Sequence, residues 1–259
     1  ETADNMLFYL NLSTGFRAPN IDDLGKVFDS EPGSVVVPNP NLKPEYAYNG
    51  EFGIRKRFNG FLEVDVSVFY TLLDDALVRR DYQLNGKDSI MYDGQLSRVQ
   101  AIQNASQAWV YGIQADMEAD LPAGFGLKAH FNFQHGEEEL EDGSTVPLRH
   151  AAPTYGMFHI TYARSKFKAD FYGIFNGEIA YGDLAPSEKG KPYLYAKNTD
   201  GNPYSPSWYS LNLKLMYQLT DYLMINAGIE NITDQRYRPY SSGIAGPGRN
   251  FIASLKLNF

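Results

Sequence analysis

The sequence contains no cysteine among its 259 residues. A disulfide framework, thiol catalysis and thiolate metal sites are therefore excluded. It also lacks any run of about 20 consecutive apolar residues, the length that a membrane-spanning helix needs. No secretory signal peptide precedes the first strand-like segment, so we expect Glu1 to begin a fragment or a processed chain.

Basic residues are too few for a nucleic-acid partner. The 23 Lys and Arg residues stand against 31 Asp and Glu residues, which gives a net charge of -8 and an isoelectric point of about 5.0. Nucleic-acid-binding domains carry a basic patch or stripe, and none is present here. We therefore expect no nucleic acid among the partners.

Aromatic residues, by contrast, are abundant. The chain has 19 Tyr, 16 Phe and 2 Trp, while its mean hydropathy is only -0.38. A transmembrane β-barrel combines these properties, because half of each strand is polar and aromatic rings gather at both membrane interfaces. A Tyr-rich soluble β-sandwich is the alternative interpretation.

Alternation with a period of two residues is the main secondary-structure signal. From 208 to 219, Tyr209, Leu211, Leu213, Leu215 and Tyr217 alternate with Ser210, Asn212, Lys214 and Gln218. Strand signals of this kind predict ten strands, near 6–13, 46–57, 61–72, 109–121, 125–134, 154–164, 167–176, 208–219, 223–231 and 250–259. The last predicted strand ends on an aromatic residue, Phe259.

One face of these strands is uncharged, which is typical of contact with lipid. Arg or Lys on the lipid side costs roughly 2 to 4 kcal/mol at mid-bilayer. We expect Leu213 on that face. The opposite face is predicted to meet water or a protein plug, and includes Glu63, Asp65, Gln114, Asp116 and Asn212.

The predicted connections alternate in length. Tight turns are expected at 58–60, 122–124, 165–166 and 220–222, and long loops are expected to begin near Thr14, Leu73, His135, Gly177 and Asp234. Short turns on the periplasmic side and long extracellular loops are the pattern of outer-membrane barrels. The fold predicted is all-β, an antiparallel up-and-down transmembrane barrel, with no second domain.

Three motifs connect the chain to a known family. Gly15-Phe-Arg-Ala-Pro-Asn20, Asn39-Pro-Asn-Leu-Lys-Pro-Glu45 and Asn231-Ile-Thr-Asp-Gln-Arg-Tyr237, in this order, resemble the C-terminal half of TonB-dependent outer-membrane receptors. The segment 242–251 also resembles the last extracellular loop of these receptors and the entry to their last strand. The resemblance covers the whole chain.

The resemblance implies a fold, a cellular location and a set of partners. Residues 1–259 would be the last ten strands of a 22-stranded barrel, with the N-terminal plug domain absent. The expected partners are outer-membrane lipid, the plug, the TonB energising complex acting through the missing N-terminal part, and a small-molecule nutrient. The edge strands of such a piece could close into a smaller barrel, remain open or pair between copies.

Ligand-binding candidates come from the long loops. Loop tyrosines can stack on a flat or sugar-like cargo, and arginines can meet an anionic one. The candidates are Arg17, Arg249, Tyr181, Tyr193, Tyr195, Tyr204 and Tyr240. Arg17 and Arg249 have a structural alternative, which is pairing with acidic lumen residues such as Glu51 or Glu230.

The favoured cargo is a ferric siderophore or a similar iron chelate, taken up actively. Haem receptors of the family have a histidine between the first two motifs, and residues 20–38 contain none. We interpret His130, His135, His150 and His159 as wall or loop residues and the acidic run 137–142 as a solvated loop, so no metal site or cofactor is expected. Haem, cobalamin and oligosaccharide remain alternative cargoes, and a passive porin is an alternative function.

An enzyme is the least favoured interpretation. Ten-stranded omptin-like proteases use paired aspartates with an Asp-His pair, and Asp74-Asp75 with His135 or His150 supplies those residue types. The Gly-x-Ser-x-Gly and His-Glu-x-x-His signatures are absent. The sequence therefore predicts a receptor without catalytic residues.

Overall fold

Ten long antiparallel strands and one short strand, Thr145–Pro147, form the main sheet of the described residues. A computed structural model describes residues 6–104, 107–140, 142–149 and 151–258. We number the ten strands in chain order: β1 Met6–Arg17, β2 Glu45–Phe58, β3 Leu62–Asp74, β4 Gln107–Asp120, β5 Phe125–Glu139, β6 Tyr155–Arg164, β7 Phe167–Asn176, β8 Trp208–Gln218, β9 Leu223–Glu230 and β10 Asn250–Leu257. Each strand pairs with its neighbours in sequence, so the sheet is an up-and-down meander.

The predicted all-β fold class is confirmed. The ten long strands of the structure correspond to the ten predicted strands. Four tight turns alternate with long loops, as predicted. In the first turn Asn59 and Gly60 have φ of 48° and 77°. Positive φ at both central positions suits a tight hairpin, and Asn-Gly is the residue pair that adopts it most readily.

Strand register assigns every residue of the sheet to one of two faces, because cross-strand partners point to the same side. Asp65 pairs with Asp116 and Ser67 with Gln114, while Leu213 pairs with Phe171 and Ile229. Glu63, Asp65, Gln114, Asp116 and Asn212 therefore lie on one face, named here the polar face. Leu213 lies on the other, the apolar face, as predicted.

The apolar face keeps ionised side chains away from its middle. Its Asp, Glu, Lys and Arg residues all lie within three residues of a strand end: Lys56, Asp74, Glu137, Glu139 and Arg164. In β8, Tyr209 and Tyr217 bracket Leu211, Leu213 and Leu215. Aromatic residues at both margins of an uncharged band are what a bilayer requires of a barrel surface.

Two predicted loop starts were wrong. β1 continues past Thr14 to Arg17, which pairs with Glu45, and β5 continues past His135 to Glu139. Beyond the uncharged middle of the apolar face, β1 still pairs with β2, and β5 pairs with the short strand Thr145–Pro147. Hydrogen bonding continues there although the membrane pattern in the sequence has ended.

The first two long loops also fold into a structure that the sequence did not predict. Five short strands, named here the loop sheet, come from both loops: Phe28–Glu31, Ser34–Val36, Leu77–Asp81, Ser89–Tyr92 and Gln95–Asn104. Ser34–Val36 runs parallel to Gln95–Asn104.

The loop sheet contains a small hydrophobic core. Val35, Val37, Val99 and Ala101 are almost fully buried, with Tyr82, Leu84, Ile90 and Tyr92 packed against them. The main sheet, by contrast, leaves large side chains of its apolar face exposed, among them Leu10, Leu12 and Phe251.

The second motif is the joint that holds the loop sheet on the barrel. Asn39 is 7% exposed, and its Nδ2 donates to the Ile102 carbonyl at 2.9 Å. The Asn104 side chain accepts from the Lys43 N–H at 2.9 Å and donates to the Asp75 carbonyl at 2.7 Å. Glu45 accepts from the Leu77 N–H at 2.7 Å. The motif therefore satisfies backbone groups where two loops leave the sheet.

The remaining elements are short. Helices lie at Ile21–Gly25 and Pro186–Lys189, 3-10 turns at Pro122–Gly124, Tyr181–Asp183 and Pro192–Leu194, and a two-residue pair joins Ala196–Lys197 to Pro203–Tyr204. Within the described ranges, no helix has the length and apolar content to cross a membrane.

The ten strands form part of a barrel rather than a closed one. Among the described residues, β1 pairs only with β2 and β10 only with β9. Within the described residues the sheet is therefore open at both edges, and pairing between copies stays a prediction. His150 and Phe259 lie outside the described residues.

The two faces make a direct prediction about insertion. Leu213→Arg should destabilise the membrane-inserted protein by roughly 2 to 4 kcal/mol, because the arginine faces lipid. Met216→Arg, on the polar face opposite Lys168 and Asn226, is the matched control and should have little effect. Unfolding by urea in lipid vesicles measures both, and equal stability of the two variants would contradict the assigned faces.

Candidate functional site

A pocket lies beside Trp208, the first residue of β8, between the last two long loops. Its volume is about 460 Å³. Its lining comes from loop 177–207, the start of β8 and loop 231–249. The lining residues are Tyr193, Leu194, Tyr195, Ala196, Ser205, Pro206, Ser207, Trp208, Arg236, Tyr237, Arg238, Pro239 and Ala245.

A pair of stacked aromatic rings forms one wall. Trp208 begins β8 on the polar face, opposite Asn176, and its ring lies 4.2 Å from that of Tyr237 at an interplanar angle of 23°. Gly246 makes the stack possible, since a Cβ there would lie 2.3 Å from Tyr237 Cζ. Stacked rings offer a rigid flat surface with two amphipathic edges.

The third motif holds this wall in place. Asn231 is 2% exposed, and its backbone N–H donates to Asn212 Oδ1 at 2.9 Å. Its side chain donates to the carbonyls of Gln235 and Pro247 at 2.9 and 3.0 Å and accepts from the Gln235 N–H at 2.9 Å. One buried amide therefore closes both ends of loop 231–249 onto β8.

Two arginines supply positive charge. Arg236 is exposed at the pocket. The Arg238 guanidinium donates to the carbonyl of Leu194 at 2.9 Å and of Tyr193 at 3.3 Å, which ties the two loops together. Arg238 is thus partly engaged by the protein, whereas Arg236 presents its charge to solvent in the pocket.

The opposite wall rests on a buried carboxylate. Glu188 is 0% exposed and accepts hydrogen bonds from the Tyr195 hydroxyl and from Arg149 Nε, the latter at 2.7 Å. Lys191 Nζ lies 3.4 Å from the same carboxylate. Burial alone would raise the pKa of Glu188, but the hydrogen bond from Tyr195 and the charges of Lys191 and Arg149 lower it.

The phenols beside Glu188 stay protonated. Burial and then the hydrogen bond to Glu188 raise the pKa of Tyr195 far above its usual range. Burial, followed by the charge of Glu188, raises the pKa of Tyr240 to about 12. Neither tyrosine is therefore suited to act as a phenolate ligand at neutral pH.

The pocket chemistry suits a flat or aromatic anion. Stacked rings favour planar groups, and a guanidinium favours carboxylate or catecholate oxygens. In the part of the chain that the structure describes, no group of three or more His, Asp or Glu side chains is placed to hold a metal ion.

The sequence candidates divide into two groups. Tyr193 and Tyr195 line the pocket, and the Tyr240 ring lies 6.3 Å from that of Tyr195. Tyr204 pairs with Ala196 behind the wall, and Tyr181 lies under Lys189 Nζ at 4.8 Å, so neither lines it. Ligand binding by all five remains a prediction.

The two candidate arginines lie away from the pocket lining. Arg249 Nε donates to the Ile232 carbonyl at 3.0 Å, and its N–H donates to Asp234 at 2.7 Å, so it braces the last loop. Glu230, the alternative partner proposed for Arg249, lies instead beside Lys214, whose Nζ is 3.9 Å from the Glu230 carboxylate. Arg17 ends β1 opposite Glu45. Their ligand contacts also remain predictions.

The sequence analysis missed Trp208, Arg236, Tyr237 and Arg238. Three of these belong to or adjoin the quoted motif 231–237, and Trp208 is one of only two tryptophans. Their convergence depends on loop 231–249 folding back, which periodicity does not predict. A rare aromatic residue at the start of a strand was the available signal.

A second depression, of about 340 Å³, lies on the polar face of the sheet. Its acidic residues are each paired: Asp65 with Arg55 at 2.7 Å, Glu63 with Arg57 at 2.7 Å, Glu118 with Lys128 at 2.6 Å and Asp116 with His130 at 2.8 Å. Such partly exposed pairs contribute about 0 to 1 kcal/mol each. This part of the polar face is therefore a wall of paired charges.

Comparison with known proteins gives a consistent result. The family model described as TonB dependent receptor-like, beta-barrel, matches residues 2–232. Hemoglobin-binding protein A of Haemophilus influenzae is 27% identical over 96% of this chain and 27% of its own length. The vitamin B12 transporter BtuB of Vibrio vulnificus is 24% identical over 99% of this chain and 36% of its own length.

Solved structures share the fold. The siderophore receptor PirA from Acinetobacter baumannii superimposes with a TM-score of 0.73 and 17% identity, over 99% of this chain and 39% of that structure. The chain thus spans about a quarter to two fifths of the length of the proteins it resembles.

The aromatic wall makes a prediction that needs no ligand. Gly246→Ala should displace Tyr237, because the added methyl overlaps its ring, and should cost about 1 to 3 kcal/mol of stability. Gly243→Ala is the matched control, since its Cβ would meet only Leu194 Cδ2 at an ordinary 3.7 Å.

Tryptophan fluorescence in a Trp109→Phe background measures the effect, because Trp208 is then the only tryptophan. A red shift in Gly246→Ala alone is expected. Identical emission from the two glycine variants would show that the stack does not depend on Gly246.

Proposed function

The chain belongs to the TonB-dependent receptor family, and on that premise we propose that it forms part of an outer-membrane receptor that captures a scarce nutrient for active uptake. The observation that carries the proposal is the pocket of Trp208, Tyr237, Tyr193, Tyr195 and Arg236, at the end of the sheet where the long loops lie. Ligand pockets typically combine apolar walls with a few placed polar groups, and this one does.

The favoured cargo is a preformed iron chelate, a ferric siderophore. The pocket offers aromatic surface and a guanidinium, which suit an anionic complex whose iron is already coordinated. A bare metal cation is disfavoured, because the exposed positive charge of Arg236 would repel it.

Haem is the first alternative, since a relative is named for haemoglobin binding. Ligation of haem iron by the protein would favour a histidine at the pocket. Among the described residues, which leave out His150, the histidines His130, His135 and His159 all lie in strands of the main sheet, and none lines the pocket. This distribution supports a siderophore over haem, with cobalamin and oligosaccharide kept as further alternatives.

Transport is proposed to depend on the parts that TonB-dependent receptors add to the barrel. The polar face, with its paired charges, would surround the plug, and the apolar face would meet outer-membrane lipid. Energy would reach the plug from the TonB complex. Capture needs no covalent chemistry, so we assign no catalytic residues.

The test is binding and uptake by the full-length parent receptor, with and without its energising partner. The panel comprises ferric catecholate and ferric hydroxamate siderophores, haem, cobalamin and oligosaccharides. We expect saturable binding of one ferric siderophore, with uptake only when the partner is intact. Partner-independent uptake of several small solutes would make the protein a porin and overturn the proposal.

Arg236→Ala should weaken binding of the cargo about tenfold or more, because a hydrogen bond to a charged group contributes about 1.5 to 3 kcal/mol. Lys197→Ala is the matched control: it removes the same charge from the exposed surface of loop 177–207, outside the pocket lining. Isothermal titration of the full-length receptor measures both. Equal affinities would place the cargo elsewhere.

A further inference from the structure

The buried Glu188 lies behind the pocket, and its contacts have a consequence for the cargo. The residue does not line the pocket, yet it binds the hydroxyl of Tyr195, which does. A fully buried carboxylate is costly unless it is paired and hydrogen-bonded. Here Arg149, Lys191 and Tyr195 supply three partners.

These partners come from separate segments of the chain. Arg149 belongs to the loop between β5 and β6, whereas Glu188, Lys191 and Tyr195 belong to the loop between β7 and β8. Tyr240, from the loop between β9 and β10, packs beside Tyr195. Glu188 therefore links the two earlier loops directly and contacts the third through the tyrosine pair.

The direction of one hydrogen bond decides what Tyr195 offers to the pocket. A phenol has a single O–H donor, and Tyr195 donates it to Glu188. The Tyr195 hydroxyl has no second proton to donate to cargo. What remains for the pocket is the ring, held at a fixed angle by a charge-assisted hydrogen bond.

We propose that Glu188 is a positioning residue for cargo recognition: through its hydrogen bond it fixes the Tyr195 ring as a wall of the pocket and prevents Tyr195 from serving as a metal ligand. The part of the inference that concerns cargo rests on the proposed function. It removes Tyr195 from the possible metal ligands of the pocket, because its phenol is committed to the carboxylate.

The charges around Glu188 explain why a carboxylate is required. Arg149 and Lys191 both contact it. Glu188→Gln would remove the negative charge that these two cations contact and the strong acceptor for Tyr195. The ring would then be free to rotate, and the phenol would ionise more easily beside the two cations.

The first arm of the test uses no cargo. Tyrosine labelled with ¹³C at Cζ is placed at position 195 of the full-length receptor, and its NMR signal is followed between pH 7 and 11. In the wild-type protein Tyr195 should not titrate in this range, whereas ordinary tyrosine titrates near about pH 10. Titration of wild-type Tyr195 near that value would overturn the inference, and this reading requires no variant to fold.

The second arm compares variants in the same protein. Glu188→Gln should lower the pKa of Tyr195, because burial stays while the hydrogen bond to the carboxylate and its charge are lost. Glu178→Gln, an exposed change of the same type on the same loop, should leave it unchanged. For a ferric tris-catecholate complex, Glu188→Gln and Tyr195→Phe should each weaken binding about tenfold, and the double variant should be no weaker than either single one. Additive losses would show that Glu188 acts independently of Tyr195 and would overturn the inference.

The two arms separate the inference from the proposed function. If Arg236→Ala weakens binding while Glu188→Gln and Tyr195→Phe do not, the pocket stands and the positioning role is wrong. If Glu188→Gln weakens binding without moving the Tyr195 titration, the positioning role is also wrong. If the complex does not bind even to the wild-type receptor, the proposed cargo fails, and the titration alone decides whether Glu188 controls Tyr195.

Discussion

The structure depends on one constraint, which is the unbroken register of ten antiparallel strands. A slip of one residue between any two strands would exchange their faces and move charges such as Asp65 or Asp116 toward lipid. The register keeps ionised side chains of the apolar face within the last few residues of each strand. It also brings Trp208, at the polar-face end of β8, to the place where the last two long loops meet.

Outside the main sheet, the loops are organised by buried polar groups rather than by a large apolar core. Asn39 and Asn104 fix the loop sheet, Asn231 closes the last loop, and Glu188 joins the loops behind the pocket. Each satisfies backbone or charged groups that would otherwise be buried without partners. The loops are thereby pre-organised, which lowers the entropic cost of binding a ligand between them.

The membrane part of the fold could be predicted from the sequence because lipid imposes a local, period-two pattern. The faces of Asp65, Asp116, Asn212 and Leu213 follow directly from that pattern. The loop sheet could not, since Val35 and Val99 are far apart in sequence and meet through parallel pairing of two loops. Part of the pocket could be predicted, because Tyr193 and Tyr195 follow from their position in a long loop. Trp208, Arg236 and Tyr237 could not, since their convergence depends on tertiary contacts that no local pattern encodes.

The most direct test of the account is the position of the cargo in the full-length receptor. Crystals grown with a ferric siderophore would locate the iron by its anomalous scattering. The account predicts an iron peak at the pocket between the Trp208–Tyr237 stack and the Tyr193–Tyr195 wall, with the chelate oxygens toward Arg236. An iron peak bound by other loops, with this pocket unchanged, would contradict it.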